Sequence, residues 1–93
     1  MKSASNWQDF VAKTSHDFVN HDTDKRILSF MKNAPVFAAT ASIVFDEIKQ
    51  QQTGIELTAY HSGDFLWDSR DIYYYENYGM PLNADFVNYV LNQ

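Results

Sequence analysis

The sequence predicts a mainly α fold, a compact bundle of four or five helices, with an α+β alternative in which residues 55–75 form a small antiparallel β-hairpin. Three observations point there. Apolar residues recur at helical spacing from Trp7 to Phe18, they recur again from Phe37 to Ile48, and a capped apolar run follows Asn83.

The first helix is predicted to start at Ser5 or Asn6, where Ser5 and Gln8 have capping-box spacing. Trp7, Phe10, Val11, Thr14 and Phe18 form its apolar face, and Asn20 and His21 end it. A second helix is predicted after Asp22 or Thr23, with Ile27, Leu28, Phe30 and Met31 turned inward. Pro35 limits it, because the residue before a proline avoids the helical region. Pro35 also suits the first turn of a third helix, where its missing N–H costs nothing. That third helix is predicted from Val36 to Gln52, with Phe37, Ala41, Val44, Phe45 and Ile48 on one face and Gly54 as a left-handed stop.

Residues 55–79 support two readings. In one, Ile55, Leu57 and Ala59 alternate, Ser62-Gly63 turns, and Phe65-Leu66-Trp67 returns as a hairpin, with Ile72-Tyr73-Tyr74-Tyr75 as a further strand. In the other, two short helices stop at Gly63 and Gly79, and Trp67, Asp71, Tyr74 and Tyr78 share a face. The helical remainder of the chain tips the balance towards helix, since a lone hairpin is marginal. Met80-Pro81-Leu82 reads as an extended linker. Asn83 caps a last helix that buries Phe86, Val87, Val90 and Leu91.

A chain of 93 residues is one domain's worth, and 45% apolar residues give it enough material for a core. It contains no cysteine, so neither a disulfide nor a thiolate is available, which suits a reducing compartment. No signal-like run opens the sequence and no stretch of about 18 apolar residues occurs, so the expected location is cytoplasmic with no membrane span. The net charge of −5 disfavours direct nucleic-acid binding and suits a basic protein partner.

Motifs that carry chemistry are missing. There is no Gly-rich phosphate loop, nucleophile elbow, His-Glu metalloprotease motif or calcium loop. His16, Asp17, His21 and Asp22 cluster, but His16 and His21 are five apart and diverge on a helix, so they read as solvated surface rather than a metal site. The expectation is therefore no enzyme activity, no cofactor and no metal.

The most unusual feature is aromatic. Tyr60, Phe65, Trp67, Tyr73, Tyr74, Tyr75 and Tyr78 crowd into one segment, interleaved with Asp64, Asp68 and Asp71. Three consecutive tyrosines do not all point inward on a regular element, and Tyr74 is the exposed one if the segment is a strand. Tyrosine and tryptophan favour interfaces. The expected function is a small acidic protein–protein interaction module, with Trp67, Asp68, Asp71, Tyr74 and Tyr78 as its binding face. Two alternatives stand beside it. One is a small enzyme or ligand-binder with carboxylates and His61 in an aromatic pocket around Tyr60 and Trp67. The other is a self-associating structural protein, a homo-oligomer.

The run Ser69-Arg70-Asp71-Ile72-Tyr73-Tyr74 resembles the short acidic-aromatic helix of the colicin nuclease immunity proteins, acidic four-helix inhibitors of similar length. There, an aspartate followed by apolar and tyrosine residues contacts the toxin, which would imply an inhibitor acting on a partner protein. The likeness spans six residues of 93, and no proline stands directly after the tyrosines. The acidic helix that precedes the motif in that family has no match here, and no family assignment follows.

Overall fold

The computed structural model of the chain describes residues 2–13 and 23–93. The predicted end of the first helix and the His16, Asp17, His21, Asp22 cluster lie outside the described residues. The remainder is α+β, which corrects the helical bundle. In chain order the elements are β1 (Lys2–Ser3), α1 (Trp7–Lys13), α2 (Lys25–Asn33), β2 (Val36–Asp46), β3 (Gln51–Ser62), β4 (Phe65–Asp68), α3 (Ser69–Tyr78) and α4 (Ala84–Leu91). The strands form one mixed sheet in the order β1-β4-β3-β2, with β1 parallel to β4 and the other pairs antiparallel.

The main correction is the third helix, which is the edge strand β2. Val36, Phe37, Thr40, Ile43, Val44 and Phe45 are β-branched or aromatic, types that fit a pleated surface better than a helix. Pro35 ends α2 as expected: Ala34 is extended (φ −69°, ψ 159°), and the proline stands just ahead of the strand, where no ladder N–H is required. Gly54 stops no helix. Its φ of 77° lies in β3 within an irregular stretch, where Ile43 pairs with Glu56 but Phe45 pairs with Gln52.

Residues 55–79 divide between the two sequence readings. Gly63, at φ 55°, and Asp64 make the turn between Ser62 and Phe65, so β3 and β4 form a hairpin. The tyrosine run is helical instead. Asp68 caps α3: its side chain accepts from the Arg70 N–H at 2.7 Å, and Asp71 accepts from the Asp68 N–H at 2.9 Å. Gly79 closes α3 in the left-handed conformation (φ 64°), its N–H reaching the Tyr75 carbonyl at 3.0 Å.

The register of β3 and β4 divides their side chains between two faces. Tyr60, Ser62, Phe65 and Trp67 face α2 and α4, and their rings pack with Ile27, Met31, Phe86 and Val90 into the main core. Ala59, His61, Leu66 and Asp68 take the opposite face. A second core joins Ile48, Tyr74, Tyr78 and Met80 to Trp7, Phe10 and Val11 of α1. Because β4 is short, β2 and β3 run on past it as a two-stranded ribbon. α3 lies along the β3 side of that ribbon, where the Ser69 hydroxyl donates to the Glu56 carbonyl at 2.8 Å and accepts from the Thr58 N–H at 2.9 Å.

The Gly63 turn yields a stability prediction. A Cβ there would lie 2.9 Å from the Tyr89 ring, whose hydroxyl is 2.7 Å from Ser62 Oγ, and the backbone conformation already disfavours side chains. Gly63→Ala should cost about 1–2 kcal/mol, read as a lower urea midpoint with an unchanged far-UV circular dichroism spectrum. An unaltered midpoint would show that the turn does not require glycine.

Candidate interaction surface

The five residues predicted to make a binding face do not make one. Trp67 is buried in the main core and donates its indole N–H to the Met31 carbonyl at 3.2 Å. Tyr74 has no exposed surface, and Tyr78 and Asp71 are buried. Asp68 is half-buried and held by Arg70, whose guanidinium sits 2.7 Å from the carboxylate and 4.7 Å from the centre of the Trp7 ring. Trp67 belongs to one core and Tyr74 and Tyr78 to the other, so no common surface unites them.

The tyrosine run is absorbed because α3 is enclosed on several sides. Tyr75 turns towards α2, its hydroxyl accepting from the Asp24 N–H at 2.8 Å. Tyr74 stacks on Trp7 with ring centres 5.7 Å apart, and its hydroxyl accepts from the Glu47 N–H at 2.9 Å. Tyr73, half-buried, and Tyr78 both donate to Asp46 Oδ2, at 2.6 and 2.7 Å. The other oxygen of Asp46 accepts from the N–H groups of Ile48 (2.9 Å) and Lys49 (2.8 Å) and shapes the turn between β2 and β3. Burial pushes the Asp46 carboxyl up, but these four hydrogen bonds outweigh it and hold its pKa below the ordinary 3.8. Burial and the Asp46 charge both push the Tyr73 and Tyr78 hydroxyls well above 10.

On the opposite side of the sheet a cleft of about 370 Å³ opens between the N-terminal segment and the start of α3, lined among others by Ser3, Ser5, Trp7, Asp68 and Asp71. The Ser5 hydroxyl donates to Asp71 instead of capping α1; Asn6 caps α1, accepting from the Asp9 N–H at 3.1 Å. Burial raises the Asp71 pKa to about 6. Both carboxylates of the cleft are thus held in place, by the α3 cap, by Ser5 and by Arg70. The aromatic pocket around Tyr60, His61 and Trp67 does not form either. Tyr60 and Trp67 face the core, whereas His61 is on the other face, its ring edge-on to Phe37 at 5.8 Å.

The surface that stands out is β2. Val36 and Phe37 are each 58% exposed and Ile43 43%, all on β2, and Ile55 of β3 is 41% exposed. Every residue from Val36 to Ile43 is exposed, and among the described residues β2 has a strand neighbour on one side only. No charged residue occurs from Asn33 to Phe45, in a chain of net charge −5. Sequence reasoning missed this surface by placing those residues on a helix, although the uncharged run was readable. Among the described residues no helix is long and apolar enough to cross a membrane. Neither a family model, nor a curated protein, nor a solved structure matches the chain.

The two buried aspartates yield opposite pH signatures. Asp46 has a lowered pKa, so its contribution to stability is present above pH 3.8 and is lost as the pH falls. Asp71 has a raised one, so its contribution is complete below 3.8 and is lost as the pH rises through about 6. Asp71→Asn should therefore gain stability relative to the parent between pH 4 and 7, by up to about 3 kcal/mol, in urea titrations at each pH. A constant difference between the two proteins would contradict the raised pKa of the buried Asp71. Asp46→Ala should lose about 3 kcal/mol or more, because four donors lose their acceptor, whereas Tyr73→Phe should lose about 1 kcal/mol. Equal losses would contradict the central role given to Asp46.

Proposed function

We propose that the protein is a protein–protein interaction module that works through the ribbon, accepting an extended segment of a partner as a further strand on β2. The observation that carries this reading is the coincidence, on β2, of an edge with no second strand neighbour among the described residues, three exposed apolar side chains (Val36, Phe37 and Ile43) and no charge from Val36 to Phe45. Proteins usually protect a sheet edge with lysines, inward-pointing charges or covering elements. Here the edge has irregular pairing, with register shifts between Val36 and Ala38, Ala39 and Ile43, and Ile43 and Phe45, but none of the charges. Exposed apolar side chains gathered on one element favour contact with another molecule.

Strand addition explains how such a surface binds. Main-chain hydrogen bonds supply affinity, and alternate side chains of the incoming segment supply selectivity. The docking strand is neutral, so the acidic remainder acts at longer range by drawing in partners with basic flanks. An inhibitor is one form of such a module, and the cysteine-free chain suits a reducing, cytoplasmic setting.

Selection from a random peptide library on the immobilised protein tests the reading. Enriched peptides should alternate apolar and polar residues, and Ala39→Pro, which disrupts the edge, should abolish their binding while Asp71→Asn leaves it intact. Peptides that bind both variants equally would place the binding surface elsewhere.

A further inference from the structure

We infer that the cleft between the N-terminal segment and the start of α3 binds a small neutral polyol, a ring bearing several hydroxyls such as a hexopyranose. The site is separate from the β2 edge and does not depend on it. Its volume of about 370 Å³ lies within the range of about 300–1,000 Å³ that small-molecule sites occupy. Ala59 and Leu66 line it from the sheet face turned away from the main core, and give it an apolar floor. The Trp7 ring is already covered, by Tyr74 at 5.7 Å and by the Arg70 guanidinium at 4.7 Å. The C–H face of the ligand therefore rests on Ala59 and Leu66 rather than on an aromatic platform.

The walls are rich in acceptors that are held in place. Asp71 Oδ1 accepts from the Ser5 hydroxyl and Oδ2 from the Asp68 N–H at 2.9 Å, and each carboxylate oxygen has a second lone pair. Ser5 gives its one proton to Asp71, so its oxygen meets a ligand as an acceptor. Asn6 takes the Asp9 N–H at 3.1 Å through Oδ1, which leaves its NH₂ group as a donor. A ligand that satisfies these walls donates more hydrogen bonds than it accepts.

Charge narrows the class. An anion meets two carboxylates. A cation meets the N-terminal end of α3, whose dipole opposes it, and Asp68 is already neutralised by Arg70 at 2.7 Å. A metal ion finds too few ligands, since among the described residues no three His, Asp or Glu side chains gather to hold one. A neutral ring of hydroxyls meets none of these objections. Its O–H groups donate to fixed acceptors, and hydrogen bonds to ionised acceptors are the stronger ones.

The test is a titration of the full chain, followed residue by residue in ¹H–¹⁵N NMR spectra. The probes are D-glucose, D-galactose, D-mannose and myo-inositol, with glucosamine and glucuronate as charged counterparts of the same ring. At least one neutral probe should give saturable shifts at Ser5, Asn6, Leu66 and Asp71, and both charged probes should bind about tenfold or more weakly than it does. Asp71→Asn removes an ionised acceptor and Ala59→Leu fills the floor, and each should weaken binding about tenfold or more. The spectra of the free variants show that each folds, and either one suffices if the other does not. No saturable shift in the cleft from any neutral probe overturns the inference. So does a cleft that takes glucosamine or glucuronate as tightly, or binding unchanged in a folded variant.

Discussion

A single buried carboxylate joins the two halves of the molecule. Asp46 lies at the end of β2, where one of its oxygens holds the turn into β3 and the other receives the hydroxyls of Tyr73 and Tyr78 from α3. A long two-stranded ribbon is marginal on its own in water. Here it is fastened at its turn by Asp46 and along β3 by Ser69, the first residue of α3. Burying a carboxylate is costly unless its lone pairs are occupied, and all four partners of Asp46 are neutral donors. The arrangement ties the end of the ribbon to the helix without a buried ion pair.

That joint decides what remains for the surface. Two of the α3 hydroxyls are committed to Asp46, and those of Tyr74 and Tyr75 accept backbone N–H groups from Glu47 and Asp24. The aromatic segment is therefore structural, filling both cores and positioning the ribbon. With α3 along β3, the free side of the ribbon among the described residues is β2, and the uncharged run from Val36 to Ile43 is exposed throughout. The same packing that removes the tyrosines from consideration as a binding face presents β2 as one.

The sequence showed clearly where short elements begin and end. Pro35 ends α2, Gly79 ends α3 and Asn83 caps α4, because each boundary depends on local backbone chemistry. The Gly63 turn was legible for the same reason. β2 was not, because its alanines favour a helix and the spacing of Phe37, Ala41, Val44, Phe45 and Ile48 imitates an amphipathic one. The contrary signal was charge. A surface helix over Val36–Phe45 would have had only Thr40 and Ser42 for its polar face. Counting the tyrosines as too many for the interior failed because α3 is enclosed by α1, α2 and the ribbon, and because Asp46, remote in sequence, accepts two of the hydroxyls. Nothing local announces a partner 27 and 32 residues away.

Amide hydrogen exchange, resolved by residue with and without a peptide selected on the immobilised protein, tests most directly whether β2 rather than the aromatic helix is the working surface. Protection should rise on peptide binding in residues 36–43 and stay constant in residues 67–78. A rise confined to 67–78, or none along β2, would contradict the assignment.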